Sequence, residues 1–188
     1  MRFRAGRPQI EIDVEERTTP LIYRSVREGL ADVGIASEFA SHEGLQVFPY
    51  RRYALAAVLP VGHALAQAPQ LAYAQLLGDD LVELSRDSGI SQVFDDAARD
   101  ARTSRTVRAR VSSFETICTL VAQGMGVGVV PLYLKAAKEE SLGLRFVPLA
   151  DDWARPRSFV AVRDYDTLPV AAQAFVAHLR ASAGVGGN

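Results

Sequence analysis

The chain has 188 residues, 48% hydrophobic and 23% charged, enough for one domain or two small lobes with a real core. A formal net charge of −1 gives no reason to expect direct binding to DNA, RNA or an anionic membrane, and no run of about eighteen apolar residues offers a membrane span. One cysteine excludes an internal disulfide and a cysteine-rich zinc cluster.

Residues 1–7 are arginine-rich and read as the last turn of a helix. Residues 9–15 alternate, with Ile10, Ile12 and Val14 on one face and Glu11, Asp13 and Glu15 on the other, which predicts a half-buried strand. Thr18 or Thr19 can cap the next helix, with Pro20 in its first turn and Ile22, Val26 and Leu30 as its apolar stripe. Residues 31–36 (ADVGIA) follow as a short buried strand of the parallel type, completing a βαβ unit. Two strand-like runs fill residues 45–60, and a loop and a short helix lead to a strand over residues 80–84. The polar turn SRDSG, residues 85–89, opens a helix that reaches about Ala101. Residues 106–111 alternate again, burying Val107, Ala109 and Val111.

The central stretch, FETICTLVAQGMGVGVVPLYLK, reads as helix, strand and helix. Phe114, Ile117, Cys118 and Val121 recur at one-face helical spacing. Gly124 suits the left-handed stop, Val127, Val129 and Val130 form a short strand, and Pro131 suits the first turn of the next helix. Glycines 124, 126 and 128 are not a dinucleotide loop, because the helix precedes them and G-x-G-x-x-G is not matched. Strands over residues 144–149 and 157–163 and a helix from about Leu168 complete the chain. The fold class is α/β, in two lobes: residues 1–60 with 164–188, and residues 61–163. Two passages between lobes, near residues 59–61 and 163–166, would make a hinge, with the ligand site in the cleft.

EGLADVGIA (residues 28–36), YALAAVLPVGHALA (53–66) and SSFETICTLVAQGMGVGVVP (112–131), in this order, resemble the effector-binding domain of LysR-type bacterial transcriptional regulators. Where that family commonly has histidine-proline-leucine-alanine, this chain has His63-Ala64-Leu65-Ala66. The resemblance implies two Rossmann-like lobes joined by two crossover segments, as in type 2 periplasmic binding proteins. It also implies a first strand and helix of lobe one ahead of Arg2, so the chain is expected to be a truncated fragment. The family's winged helix-turn-helix, through which DNA is bound, is likewise not in this chain. The full-length protein is expected to be a homodimer or homotetramer. The family assembles through its first and last effector-domain helices, so this fragment is expected to dimerise weakly or abnormally.

The family binds small effectors with hydroxyls and backbone amides at helix N-termini, where unpaired N–H groups and the helix dipole favour an anion. Thr19 matches the family's cleft threonine and is equally a plain helix cap. Ser85, Arg86 and Ser88 match the polar turn after the first strand of lobe two, with Arg86 a bidentate partner for a carboxylate and a solvated turn as the alternative. Ser113 is a helix cap that can also line the cleft, and Val127 and Gly128 offer backbone groups. No cofactor is implied. His42, His63 and His178 lack metal-ligand spacing, and no histidine is placed to activate Ser85 or Cys118. Arginines 99, 102, 105, 108 and 110 alternate with Asp95, Asp96 and Asp100 nearby and read as a solvated surface.

The expected function is a ligand-sensing domain of a cytoplasmic transcription regulator, with a small, anionic or aromatic effector as partner and no membrane. The alternatives are a free-standing solute-binding protein, which the absence of a signal peptide at residues 1–16 disfavours, and an enzyme on the same fold. The enzyme would need an acid–base pair or a cofactor lysine in the cleft, and Lys135 and Lys138 fall on an outer helix.

Overall fold

The computed structural model describes residues 2–183, and its regular elements follow the α/β alternation. In chain order they are α1 (Arg2–Ala5), α2 (Thr19–Arg27), β1 (Gly34–Ser37), β2 (Gln46–Arg52), β3 (Leu55–Pro60), β4 (Asp80–Leu84) and α3 (Ile90–Asp100). Then come β5 (Thr106–Val111), α4 (Phe114–Ala122), β6 (Val127–Pro131), α5 (Lys135–Leu142), β7 (Leu144–Pro148), β8 (Arg157–Val162) and α6 (Val170–Ala183). Short 3-10 turns occupy Tyr73–Leu76, Leu132–Leu134 and Asp152–Ala154.

The chain divides into two units. The first runs to Arg52 and resumes at Arg157; the second is Tyr53–Pro156. These bounds differ from the expected lobes of 1–60 with 164–188 and 61–163, and hydrogen bonding explains why. β3 lies between β6 and β7, which places it in the second unit, and β8 lies between β1 and β2, which places it in the first. The passages therefore move to Arg52–Tyr53 and Pro156–Arg157.

In the first unit the sheet order is β1-β8-β2, antiparallel throughout, with Ile35 and Phe48 on either side of Val160. The parallel reading of residues 31–36 is corrected here. An apolar run reports burial and says nothing of the direction of its partner, and the partner is β8. The strand expected over residues 9–15 is also absent. Those residues lie outside every strand, and Val14 is 79% exposed. Alternation defines two faces, but a strand also needs a ladder partner, and among the described residues none pairs with this segment. Pro49 is tolerated because β2 is an edge strand, and the register shifts between Pro49 and Arg51. Tyr23 of α2 is buried with Ala36 and Ala161 on one face of the sheet. On the other face Val160 and Val162 meet Val176 and Leu179 of α6. Phe3 of α1 is buried edge-on to Phe175, ring centroids 5.1 Å apart.

In the second unit the order is β5-β4-β6-β3-β7, with β4 parallel to β5 and β6 and β3 antiparallel to β6 and β7. α4 covers one face through Ile117, Cys118 and Val121, packed with Val58, Val82, Val130 and Phe146. Because side chains alternate along a strand, Leu81 and Glu83 face the other side, where Tyr73 stacks on Phe94 and Trp153 meets both rings edge-on. Pro131 ends β6, as expected, opposite Leu55, and the 3-10 turn Leu132–Leu134 comes between it and α5. Gly128 sits where α4 lies against the sheet: a Cβ there would be 2.4 Å from Ile117 Cγ2 and 3.0 Å from the Val82 carbonyl oxygen. This close approach is why the helix can rest directly on β6.

Candidate functional site

α2 begins after Thr18 with Pro20 in its first turn, no acidic residue there and no side-chain cap bond. The fold therefore leaves the head of α2 positive and unneutralised. Three hydroxyls surround it. The Thr18 hydroxyl is buried without a hydrogen-bond partner, and Thr19 Oγ1 lies 3.4 Å from Ser37 Oγ, which also accepts from the Phe39 N–H at 3.3 Å. Tyr23 holds the end of β1 in place, its hydroxyl donating to the Ser37 carbonyl at 2.9 Å; burial and then the Glu38 charge push this phenol up to about 12. Ser37 was not among the expected site residues. Its sequence signal is a hydroxyl closing an otherwise apolar strand.

Glu38 fixes β1 to β8 from the same corner, accepting from the Arg157 backbone N–H (2.8 Å) and from Arg157 Nε (2.9 Å). Burial alone would raise its carboxyl, but these bonds and the arginine charge outweigh that and hold it below 4.5. A depressed carboxyl contributes stability above its unfolded value and loses it as pH falls through the folded one. Glu38→Gln should thus be less stable than the parent chain at pH 7, and in urea unfolding the gap should close as pH falls below the ordinary carboxylate range. An unchanging gap across that range would show that the charge is not what Glu38 contributes.

The head of α3 is built in a similar way. The strand β4 ends at Leu84, and the Ser85 N–H donates to the Val111 carbonyl (2.9 Å) while the Ser88 N–H donates to the Ser85 carbonyl (2.9 Å). The first bond ties the start of the turn to β5, and the second closes residues 85–88 into a tight turn. Gly89, at φ 76°, is the cap position of α3, which has no side-chain cap bond and no acidic residue in its first turn. Ser88 is 5% exposed and its hydroxyl has no partner. Arg86 is exposed and makes no hydrogen bond or ion pair.

The remaining expected site residues have other work. Ser113 caps α4, accepting from the Thr116 N–H at 3.2 Å, and Glu115 already neutralises that helix head. Ser113→Ala should cost about 1 kcal/mol in urea unfolding, the usual loss for a cap; no loss would mean the cap bond is not formed in solution. Val127 and Gly128 are buried between β4 and β3, where their backbones take part in the sheet pairing. Cys118 is fully buried and its thiol is pushed up to about 11 by burial, as fits a structural thiol. His63 Nδ1 accepts from the Leu65 N–H (3.2 Å), which leaves the proton on Nε2 facing Asp79 Oδ1 at 3.3 Å; the histidine ties down its loop. No group of residues able to hold a metal ion exists among the described residues.

The arginine stretch is not uniformly solvated, contrary to expectation. Arg108 is exposed and pairs with Asp80 at 2.9 Å, and Arg99 with Asp96 at 2.8 Å, but the Arg105 side chain is only 8% exposed. It bonds both Glu83 and Asp95. The cause is Glu83, a carboxylate buried near the end of β4, which requires a countercharge.

A family model described as the LysR substrate binding domain matches residues 1–184. The chain belongs to this family. A relative is the uncharacterized HTH-type transcriptional regulator YnfL of Escherichia coli (strain K12), 26% identical over 180 residues, covering 94% of this chain and 60% of that protein. The chain spans about half the length of the curated relatives it matches. The regulatory domain of Synechocystis PCC6803 CcmR, in complex with 2-PG, has a TM-score of 0.85 at 21% identity, covering 97% of this chain and 88% of that one. The effector binding domain of QuiR, in complex with shikimate, has a TM-score of 0.82 at 14% identity, with coverage of 98% and 88%. These likenesses place the chain in the mixed α/β, type 2 periplasmic-binding-protein-like fold of LysR substrate-binding domains. No helix among the described residues is long and apolar enough to cross a membrane.

Proposed function

We propose that this chain is the effector-sensing domain of a LysR-type transcriptional regulator and that the uncapped head of α3 is a contact for the anionic group of a small effector. One observation carries the reading: the turn that opens α3 keeps the buried Ser88 hydroxyl without a partner. An unpaired buried hydroxyl costs about 1–3 kcal/mol, which a folded protein retains where something else is to bond it. Ser85, Arg86 and Ser88 are the effector-binding residues of this head; Thr19 and Ser37 offer hydroxyls at the head of α2 in the first unit, while Ser113, Val127 and Gly128 shape the scaffold. Arg86 supplies the countercharge to a carboxylate or phosphate.

Effector binding changes the population of a regulator whose DNA contact is made by a winged helix-turn-helix outside these residues, in a cytoplasmic homodimer or homotetramer. Sensing, not catalysis, is the role this reading assigns, and Lys135, one of the two lysines of the chain, is engaged with Glu139 on α5 at 3.7 Å. A thermal-shift screen with shikimate, benzoate, 2-PG and inorganic phosphate tests this. Binding to the folded chain raises its melting temperature, and Arg86→Ala should abolish the rise. Ser88→Ala should also abolish it while making the ligand-free chain more stable, by about 1 kcal/mol, because the unpaired hydroxyl is gone. Effector shifts of parental size in both variants would rule out the α3 head as the site.

A further inference from the structure

The turn of residues 85–89 is held by one backbone bond of its own and by one from Ser85 to Val111 of β5, and α3 starts without a side-chain cap. Something else must fix the helix head relative to β4, and the structure shows what does. Arg105 comes from the segment between α3 and β5, yet its guanidinium reaches back to both sides of the turn. Nη1 donates to Glu83 Oε1, two residues before Ser85. Nη2 donates to Asp95 Oδ1 and to the Ser91 carbonyl at 3.4 Å, in the first turn of α3. One planar fork therefore joins the strand end to the helix head across the mouth of the turn. A lysine, with a single ammonium centre, does not reproduce that span.

Glu83 is kept for this purpose. Its neighbours, besides Arg105, are the Tyr73 hydroxyl at 3.5 Å and Arg110 at 3.7 Å, and its Oε2 makes no hydrogen bond. A buried ion pair is a poor way to stabilise a core that apolar residues of the same volume could fill as well or better. What a charged fork adds is a fixed position. We propose that Arg105 is the positioning residue of the anion-holding turn: by joining Glu83, Ser91 and Asp95 it sets where the head of α3 and the Ser88 hydroxyl stand. The proposal rests on the reading of that turn as an effector contact.

Arg105→Met alone leaves Glu83 buried and unpaired and is liable to unfold, so the decisive variant is Glu83→Gln with Arg105→Met. This pair removes both charges, and its urea midpoint should return close to that of the parent chain. Two readouts are then taken on the 188-residue chain by NMR. The first is amide hydrogen exchange of Phe94 and Asp95, the first amides bonded inside α3. Exchange there should quicken about tenfold while exchange in α4 stays at the parent rate. The second is titration with inorganic phosphate, read at the Gly89, Ile90 and Ser91 amides. The parent chain should shift, and the double variant should need about tenfold more phosphate to do so. Parent-like exchange at Phe94 and Asp95 in the folded double variant overturns the positioning role. Absence of any phosphate shift in the parent chain strikes the effector reading instead, and the exchange comparison still decides the role of Arg105.

Discussion

Gly126→Ala is expected to destabilise the second unit by about 3 kcal/mol or more, among the largest losses available from one added methyl. Gly126 has a φ of +142°, a region closed to side-chain-bearing residues, and a Cβ there would lie 2.0 Å from the Asp80 carbonyl oxygen and 2.8 Å from its carbon. Neither atom is a flexible tip. Both belong to the backbone at the start of β4, and the next pairing in the ladder is Leu81 with Val127. Relief must therefore come from separating β4 from β6 in the middle of the five-stranded sheet. Gly62→Ala is the control, since a Cβ there meets nothing within 4 Å, and its urea midpoint should stay where it was. Equal midpoints for the two variants would refute the account.

Tyr73→Ala should cost about 3–5 kcal/mol, the range for emptying a buried aromatic site. Tyr73 is 1% exposed, stacks on Phe94 at 4.8 Å and meets Trp153 edge-on at 5.7 Å, so its ring joins the turn Tyr73–Leu76 to α3 and to the turn Asp152–Ala154. Its hydroxyl, 3.5 Å from Glu83, is at the limit of hydrogen bonding, and burial followed by the Glu83 charge pushes the phenol well above its ordinary value. Tyr73→Phe should therefore lose less than about 1 kcal/mol. The two variants separate ring from hydroxyl in one urea series. A Phe variant as damaged as the Ala variant would move the weight to the hydroxyl and to Glu83.

What could be read from the sequence follows the range of the interactions. α4, its serine cap, the stop at Gly124 and β6 depend on neighbours a few residues away, and the spacing of Phe114, Ile117, Cys118 and Val121 marks them directly. The direction of β1 depends on β8, more than a hundred residues downstream, and no local pattern carries that information. The same holds for the unit bounds, which shift because β3 and β8 each sit between two strands distant in sequence. Residues 9–15 alternate convincingly but lack the partner that alternation cannot supply. At the site, Thr19 and Ser88 were legible as polar residues opening apolar helices. Ser37 and Arg105 were not, because a serine ending a strand and an arginine among aspartates acquire meaning only from what the fold brings against them.

The central place of β8 in the first sheet bears on how this chain is made. Among the described residues β1 and β2 do not pair with each other; each pairs with β8 alone. On the ribosome, both emerge and then wait, unpaired, while the whole of Tyr53–Pro156 is synthesised. That intervening segment is contiguous and holds all five strands of its own sheet, so it can close as soon as it leaves the exit tunnel. The unit that begins first is thus finished last. Translation slowed after residue 156 would prolong the exposure of two nascent strands, and the need for a chaperone should be greatest in that interval.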